Sequence, residues 1–170
     1  MSQTGQVVTL GIGDELFAIP VTRVMEILDQ QQITRLPQAP RHLLGLIDVR
    51  GESVAVVDLR ALLDRSALDD IDSTRILVLW LHAADRRAVI ALRADRVIEV
   101  TELDDNGKVT PFAEAKLLQW QERMVAGIGR RNGAFVTVLD LDRMFDGLDI
   151  QASAPNMSRT DRDAHVSVSA

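Results

Sequence analysis

Two aspartates stand in matching contexts and are the residues best placed for acid–base chemistry. Asp58 ends the run 54–58 and Asp140 ends the run 136–140, and a leucine follows each of them. Paired carboxylates serve as general acid and base in many hydrolases, so one hypothesis is a small hydrolase that uses Asp58 and Asp140 together. The favoured alternative is structural, because each aspartate precedes a predicted helical turn, where a carboxylate accepts hydrogen bonds from free N–H groups.

The other side chains with chemical potential form no further catalytic set. His42, His82 and His165 are isolated in the sequence, and no pair of them has metal-binding spacing. No serine lies in a Gly-x-Ser-x-Gly elbow. The glycines of 127–133 miss the G-x-G-x-x-G dinucleotide motif by one position, and no helix pattern follows, so a hairpin turn is favoured there. The sequence therefore predicts a protein that is not an enzyme and that holds no cofactor or metal.

The composition excludes several classes of protein. A chain of 170 residues with 46% hydrophobic and 26% charged residues is ordinary for one globular domain. The absence of cysteine excludes disulfide scaffolds and thiolate metal sites. A net charge of -6 with 4% aromatics disfavours nucleic-acid binding, so a β-barrel nucleic-acid binder ranks third among the hypotheses. The N-terminus lacks a signal-peptide pattern, and the longest apolar run, Ile76–Leu81, is far shorter than a membrane span. We therefore expect a cytoplasmic protein without direct membrane insertion.

Short apolar runs separated by turn residues predict an all-β protein with four hairpins. The predicted strand pairs are Val7–Ile12 with Leu16–Ile19, Ile47–Arg50 with Val54–Val57, Ile76–Leu81 with Ala88–Leu92, and Val125–Ile128 with Phe135–Leu139. The last pair is joined by Asn132-Gly133, which tolerates the positive φ angles of a type I′ turn. The second pair is expected to turn at Gly51-Glu52 and the third across His82–Arg87.

Between these strands the pattern changes. A helix is predicted after Pro20, because apolar residues recur with helical spacing at Val21, Val24, Met25 and Leu28. The remaining predicted segments are short strands at 33–36 and 97–100, helical turns at 60–63 and 140–145, a polar connection at 64–73, a partly helical insert at 104–119 and a disordered tail at 151–170.

The sequence also repeats itself. A shift of 73 aligns residues 18–27 with 91–100, and four of the ten aligned positions are identical. A shift of 82 aligns residues 45–59 with 127–141 and superposes their glycines and their Val-x-Asp-Leu ends. Two matches in the same order indicate a duplicated unit of about 75–80 residues. Each unit is expected to form a small sheet of about five strands, closed into a barrel because closure removes exposed edges.

The order and spacing of these motifs resemble the CheW family of chemotaxis coupling proteins. The matching segments are Val24–Ile27, Leu36–Pro40, Gly45–Gly51, Val54–Arg60, Thr74–Val78, Ala91–Val100 and Val138–Leu141. The resemblance covers about residues 6–147, and residues 1–5 and 151–170 are expected to be flexible ends. It implies two intertwined five-stranded SH3-like barrels with short helices and a hydrophobic core between them.

The resemblance also implies a function. It predicts a non-enzymatic adaptor that couples the cytoplasmic tips of methyl-accepting chemoreceptors to the regulatory domain of a CheA-type histidine kinase. Other CheW-like proteins are further candidate partners, and nucleic acid is not. The protein is expected in the cytoplasm, recruited to membrane-associated receptor arrays.

Five residues carry the predicted partner-binding site. By position, Val24 and Glu26 match a receptor-contact site. Gly45 and Arg50 match a segment, usually Gly-x-x-Asn-Leu-Arg-Gly, that is tied to receptor and kinase coupling. Asp48 replaces the usual asparagine and adds a negative charge beside Arg50, which is expected to change which receptor or kinase is accepted. Such departures suggest a specialised array that governs pili, surface sensing or second-messenger output.

Overall fold

The structure is a computed structural model that describes residues 2–83, 85–111 and 124–146. Within these ranges the strands are β1 (Ser2–Gln3), β2 (Val7–Ile12), β3 (Glu15–Pro20), β4 (Val24–Leu28), β5 (Leu43–Val49), β6 (Glu52–Asp58), β7 (Arg75–Ala83), β8 (Arg86–Ala94), β9 (Arg96–Thr101), β10 (Lys108–Pro111), β11 (Val125–Arg131) and β12 (Ala134–Leu139). The helical segments are a 3₁₀ turn (Val21–Arg23), α1 (Leu59–Leu62), α2 (Asp104–Gly107) and α3 (Leu141–Phe145).

The strands form two sheets that exchange strands between the two repeats. One sheet has the order β1-β10-β11-β12-β3-β2-β9, and the other has the order β4-β7-β8-β6-β5. The first sheet combines the β2–β3 hairpin of the first repeat with β9, β11 and β12 of the second. The second sheet combines β4, β5 and β6 with the β7–β8 hairpin. The two halves are therefore intertwined, and the predicted all-β, SH3-like fold is confirmed.

Strand registers match between the two halves. In the parallel β12–β3 pair, Val138 lies opposite Ala18. In the parallel β6–β8 pair, Val56 lies opposite Ala91. The same shifts of 82 and 73 that align the sequence convert one pair into the other. The sequence repeat is therefore also a repeat of strand pairing.

The largest hydrophobic cluster lies between the two sheets, and each sheet also has a smaller cluster of its own. The central cluster draws on both halves of the chain, with fully buried members that include Leu10, Ile19, Leu77, Leu79 and Leu92. Fully burying one such side chain contributes about 1.5–3 kcal/mol to folding. Val7, Val109 and Val136 belong to the cluster of the first sheet, and Ile47, Val54 and Ile76 to that of the second. The implied core between the barrels is present.

The predicted helix over residues 21–28 is wrong. Only the 3₁₀ turn follows Pro20, and the rest of the segment is strand β4. Burial alternates along β4 with a period of two, and a bulge lies between Val24 and Glu26 where β4 pairs with β7. The partner strand lies about fifty residues away in the sequence. Local spacing therefore indicated a helix where a distant strand pairing decides the conformation.

All four predicted hairpins are present, but two of the turns differ from the prediction. β5 ends at Val49 and β6 begins at Glu52, so the turn is Arg50-Gly51 rather than Gly51-Glu52. Both turn residues have positive φ, 54° and 85°, as a type I′ turn requires. β7 and β8 continue through most of the segment predicted as a turn, to Ala83 and from Arg86.

The irregular segments are partly as predicted. α1 and α3 confirm the helical turns, whereas the predicted strand 33–36 is reduced to one bridge between Thr34 and Leu46. Residues 2–3, predicted as part of a flexible end, instead pair with β10. Residues 112–119 of the predicted insert and the whole predicted tail 151–170 lie outside the described residues.

Candidate partner-binding site

Two segments that the sequence keeps apart meet on one side of the second sheet. Glu26 lies on β4, Arg50 lies in the β5–β6 turn, and an oxygen of the Glu26 carboxylate is 3.5 Å from a guanidinium nitrogen of Arg50. β4 and β5 are the two outer strands of this sheet. A contact between a side chain of β4 and the turn that follows β5 therefore indicates that the sheet curls round towards closure, which brings both predicted segments to one surface.

Arg50 adopts a left-handed backbone conformation, which is unfavourable for arginine. Its φ is 54°, in the left-handed region, which costs a residue with a Cβ about 1–2 kcal/mol. The equivalent turn of the second repeat has Asn132 at this position, and asparagine tolerates the left-handed region better. The Arg50 side chain is 82% exposed, so packing does not explain its presence. A residue kept against backbone preference and directed to solvent is a candidate for function.

Asp48 builds the turn that presents Arg50. Its Oδ1 accepts a hydrogen bond of 2.7 Å from the backbone N–H of Gly51. The carboxylate is thus already engaged by the backbone, three residues along the chain. An oxygen acceptor at this position serves the turn whether it comes from aspartate or asparagine. Asp48 therefore forms the turn as an asparagine would, and it differs from an asparagine by adding a negative charge to this surface.

Two exposed apolar residues flank Glu26, and neither was predicted as part of the site. Met25 is 58% exposed and Ile27 is 41% exposed, whereas Val24 is half-buried and packs against the central cluster. Met25 and Ile27 alternate in burial with Glu26 along β4, which is an outer strand of its sheet, and exposed apolar side chains at such a position are candidates for a protein interface. The helix prediction concealed this face, because it assigned Met25 to a buried stripe. The alternation of a strand would have shown it.

Gly45 lies in β5 and is buried. A Cβ at Gly45 would lie 2.1 Å from the carbonyl oxygen of Thr34, and its φ is +146°. The equivalent Gly127 meets the carbonyl oxygen of Thr110 in the same way, at 2.5 Å. In both repeats, glycine lets a neighbouring segment approach the strand. Gly45 thus supports the site through packing, while the other four predicted residues stand at or near the surface.

Asp58 and Asp140 are helix caps, as the favoured interpretation predicted. Oδ1 of Asp58 accepts the N–H of Arg60 at 3.1 Å, and Oδ1 of Asp140 accepts the N–H of Arg143 at 3.2 Å. No hydrogen bond or ion pair joins the two aspartates within the part of the chain that the structure describes. Nothing observed favours a hydrolase that uses them as a pair.

Two buried or half-buried ion pairs join the repeats, and in both of them the arginine comes from the first repeat and the aspartate from the second. Arg23 binds Asp142 of α3 through two hydrogen bonds of 2.8 and 2.6 Å. Arg60 of α1 binds Asp95 at 2.6 Å. Asp142 and Arg60 are equivalent under the shift of 82, so the same helix position carries an acid in one half and a base in the other. Arg23 directly precedes Val24, and its ion pair therefore fixes the start of β4.

The stability of the protein should fall in acid, and Asp142 should account for part of the loss. The hydrogen bonds from Arg23 lower the pKa of Asp142, whereas burial raises the pKa of Asp58. A carboxyl group whose pKa is lower in the folded protein than in the unfolded chain stabilises the fold above its unfolded pKa, and this stability is lost as pH falls through its folded pKa. A carboxyl group whose pKa is raised by folding destabilises the fold when it is ionised, and this cost is relieved as pH falls through its folded pKa. We expect Asp142→Asn to flatten the fall in the free energy of unfolding below about pH 4, where the folded protein still holds that carboxylate ionised, and Asp58→Asn to steepen the fall above about pH 4, where protonation of the folded Asp58 would otherwise offset it. Urea unfolding between pH 3 and 7 measures both, and identical slopes in the two variants would contradict the assignment.

Across residues 2–83, 85–111 and 124–146, no three His, Asp or Glu residues are grouped as metal ligands. In the same ranges no helix has the length and apolarity to cross a membrane.

Comparison with known proteins decides the family. A family model described as the CheW-like domain matches residues 6–149. The chain belongs to the CheW-like family. The chemotaxis protein CheW of Bacillus subtilis (strain 168) is 32% identical over 157 residues, which cover 92% of this chain and 97% of that protein. The CheW of Helicobacter pylori is 29% identical over 133 residues, which cover 78% of this chain and 76% of the relative.

A solved structure of the CheW-like family supports the fold. The crystal structure of the scaffolding protein TtCheW from Thermoanaerobacter tengcongensis superposes with a TM-score of 0.72. The match covers 84% of this chain and 93% of that structure, at 22% sequence identity. At this identity the likeness concerns the fold, and it agrees with the exchange of strands between repeats.

Proposed function

We propose that this CheW-like protein is a non-enzymatic adaptor that couples methyl-accepting chemoreceptors to a CheA-type histidine kinase. The observation that carries the proposal is the contact of Glu26 with Arg50, which joins two predicted coupling segments on one exposed surface. Family membership and relatives named as chemotaxis proteins support it. We call Val24, Met25, Glu26, Ile27 and Arg50 the coupling surface.

The chemistry of the coupling surface suits an amphipathic helical partner with an acidic group. Met25 and Ile27 offer apolar contact, and Arg50 offers a planar set of donors for a carboxylate. The pair of Arg50 with Glu26 is long and largely solvated, so a partner carboxylate can compete for the guanidinium. A receptor tip fits this description, and the kinase regulatory domain is the second partner. Other CheW-like proteins are further candidates.

The adaptor then acts in the cytoplasm, at membrane-associated receptor arrays. Asp48 distinguishes the turn from the usual family pattern by its charge, which supports a specialised array, for pili, surface sensing or second-messenger output. The binding of purified receptor tip and kinase regulatory domain to the full chain tests the adaptor directly. Failure of both to bind at about 100 μM, the weak end for specific contacts, would overturn it.

Replacing Met25 by glutamate should weaken receptor-tip binding at least tenfold, which corresponds to about 1.4 kcal/mol. The exposed thioether would be lost from the apolar contact, and a carboxylate would stand beside Glu26. Because Met25 is 58% exposed, the melting temperature should change little. Isothermal titration calorimetry measures the affinity. Ile71→Glu is the matched control, since Ile71 is 43% exposed on the connection between the repeats and should leave binding intact. Equal weakening by both variants would count against the coupling surface.

A further inference from the structure

A cavity of about 380 Å³ lies beside the carboxyl ends of the parallel strands β6 and β8. Asp58 and Arg93, the last paired residues of this contact, line it from the sheet. Ile33, Leu44 and Leu68 contribute apolar wall. The volume falls within the range of small-molecule sites, which combine apolar walls with a few directed polar groups.

The two charged groups at the base of the cavity are both buried, and only one of them is fully engaged. Arg93 donates to Oδ1 of Asp70 at 2.8 Å and to the carbonyl of Leu68 at 2.7 Å. Asp58 is 5% exposed, and the nearest nitrogen of Arg93 is 3.6 Å from its Oδ1, beyond hydrogen-bond distance. Oδ1 is held by the N–H of Arg60. In the part of the chain that the structure describes, Oδ2 of Asp58 accepts no hydrogen bond.

Oδ2 of Asp58 remains reachable from the cavity. No fully enclosed side-chain nitrogen or oxygen lacks a partner among the described residues, so this oxygen is not sealed away. A buried carboxylate oxygen without a hydrogen-bond donor carries an uncompensated cost of desolvation, and a donor that reaches it removes that cost. The site therefore favours a ligand that carries hydrogen-bond donors.

The charge around the cavity selects the sign of that ligand. Three carboxylates, Asp58, Asp69 and Asp70, face two guanidinium groups, Arg35 and Arg93, which leaves one negative charge in excess. Arg93 divides its charge between Asp70, at 2.8 Å, and Asp58, at 3.6 Å, so one guanidinium group serves two carboxylates. A cation is the complementary guest.

We propose that this cavity binds a small amphiphilic amine. Its ammonium group donates to Oδ2 of Asp58, and its hydrocarbon part packs against Ile33, Leu44 and Leu68. An ammonium group supplies three donors and a compact charge. The equivalent β12–β3 pair of the first sheet lacks the same arrangement, because Pro20 occupies the position equivalent to Arg93. The site therefore belongs to the second sheet alone, and it shares no residue with the coupling surface.

Pentylammonium is a suitable probe, with 1-pentanol and pentanoate as matched neutral and anionic compounds. Titration of the full chain, followed by ¹⁵N amide shifts, should give saturable changes at residues 33, 44, 58 and 68. Pentylammonium should bind at least ten times more tightly than either analogue. Equal affinity for the three probes, or changes confined to other parts of the molecule, would overturn the proposal.

Asp58 and Asp140 are equivalent helix caps, and of the two only Asp58 lines the cavity, so matched substitutions at these positions test the proposal. Asp58→Asn keeps an equally good helix cap, removes the charge and should abolish the preference for the amine. Asp140→Asn makes the same change at the equivalent cap, away from the cavity, and should leave pentylammonium binding unchanged. Leu68→Ser, on the exposed wall, should weaken the binding of pentylammonium and pentanol by similar factors. Unaltered amine preference in folded Asp58→Asn protein would contradict the assignment.

Discussion

Replacing Arg50 by glutamate should weaken the binding of the receptor tip and the kinase regulatory domain at least tenfold, with almost no change in folding stability. Arg50 is 82% exposed, and its ion pair with Glu26 is of the solvated kind that contributes about 0–1 kcal/mol. An interfacial arginine, in contrast, is often among the few residues that dominate binding. Calorimetric titration and thermal unfolding of the same preparation give both quantities.

A second substitution separates the side chain from the backbone at this position. Arg50→Asn copies the equivalent turn, where Asn132 has φ 51°, and should raise the free energy of unfolding by up to about 1 kcal/mol while still weakening binding. Arg86→Glu, on an exposed residue of another hairpin, is the control for charge reversal and should bind partners normally. A large fall in melting temperature in both Arg50 variants would show that Arg50 is structural instead.

Replacing Gly45 by alanine should destabilise the protein by about 2–5 kcal/mol, the combined scale of backbone strain and overpacking. The new Cβ would lie 2.1 Å from the carbonyl oxygen of Thr34, and a backbone atom cannot move aside without disturbing the bridge to Leu46. Urea unfolding monitored by far-UV circular dichroism measures the loss. Gly127→Ala should be destabilising through overpacking alone, because Gly127 has no positive φ and a Cβ there would lie 2.4 Å from Cγ1 of Val109 and 2.5 Å from the carbonyl oxygen of Thr110.

The neutral control for this substitution is Gly5→Ala, because nothing lies within 4 Å of a Cβ added there. The comparison also tests how Gly45 acts on partners. If its role is packing, binding by Gly45→Ala should fall only in proportion to the unfolded fraction. A variant that remained as stable as the wild type yet lost its partners would mean that Gly45 touches them directly.

Local structure was the part of the fold that could be predicted from the sequence. Hairpins and caps depend on neighbouring residues, so the Asn132-Gly133 turn and the Asp58 and Asp140 caps follow from short motifs. The conformation of β4 does not, because its partner β7 is remote in the sequence and a bulge shifts the pairing register between them. The exchange of strands between repeats is equally non-local. It was implied by the family resemblance and not by periodicity.

The candidate site was predictable in its residues and not in its geometry. Motif positions pointed to Val24, Glu26, Asp48 and Arg50. The approach of Glu26 to Arg50 requires the two outer strands of a sheet to meet, which no local pattern encodes. The ion pair of Arg23 with Asp142 spans 119 positions of the chain and was invisible for the same reason. Such contacts arise from topology, and a single sequence shows topology only through its repeats.

An adaptor that holds a receptor and a kinase together should retain the kinase on receptor tips. Receptor tips are immobilised, kinase regulatory domain is added with and without the full chain, and the kinase domain retained is quantified. We expect retention that depends on the chain, saturates with it and is lost with Arg50→Glu. Equal retention of the kinase domain with and without the chain, or no retention at about 100 μM, would mean that this CheW-like protein does not join the two partners.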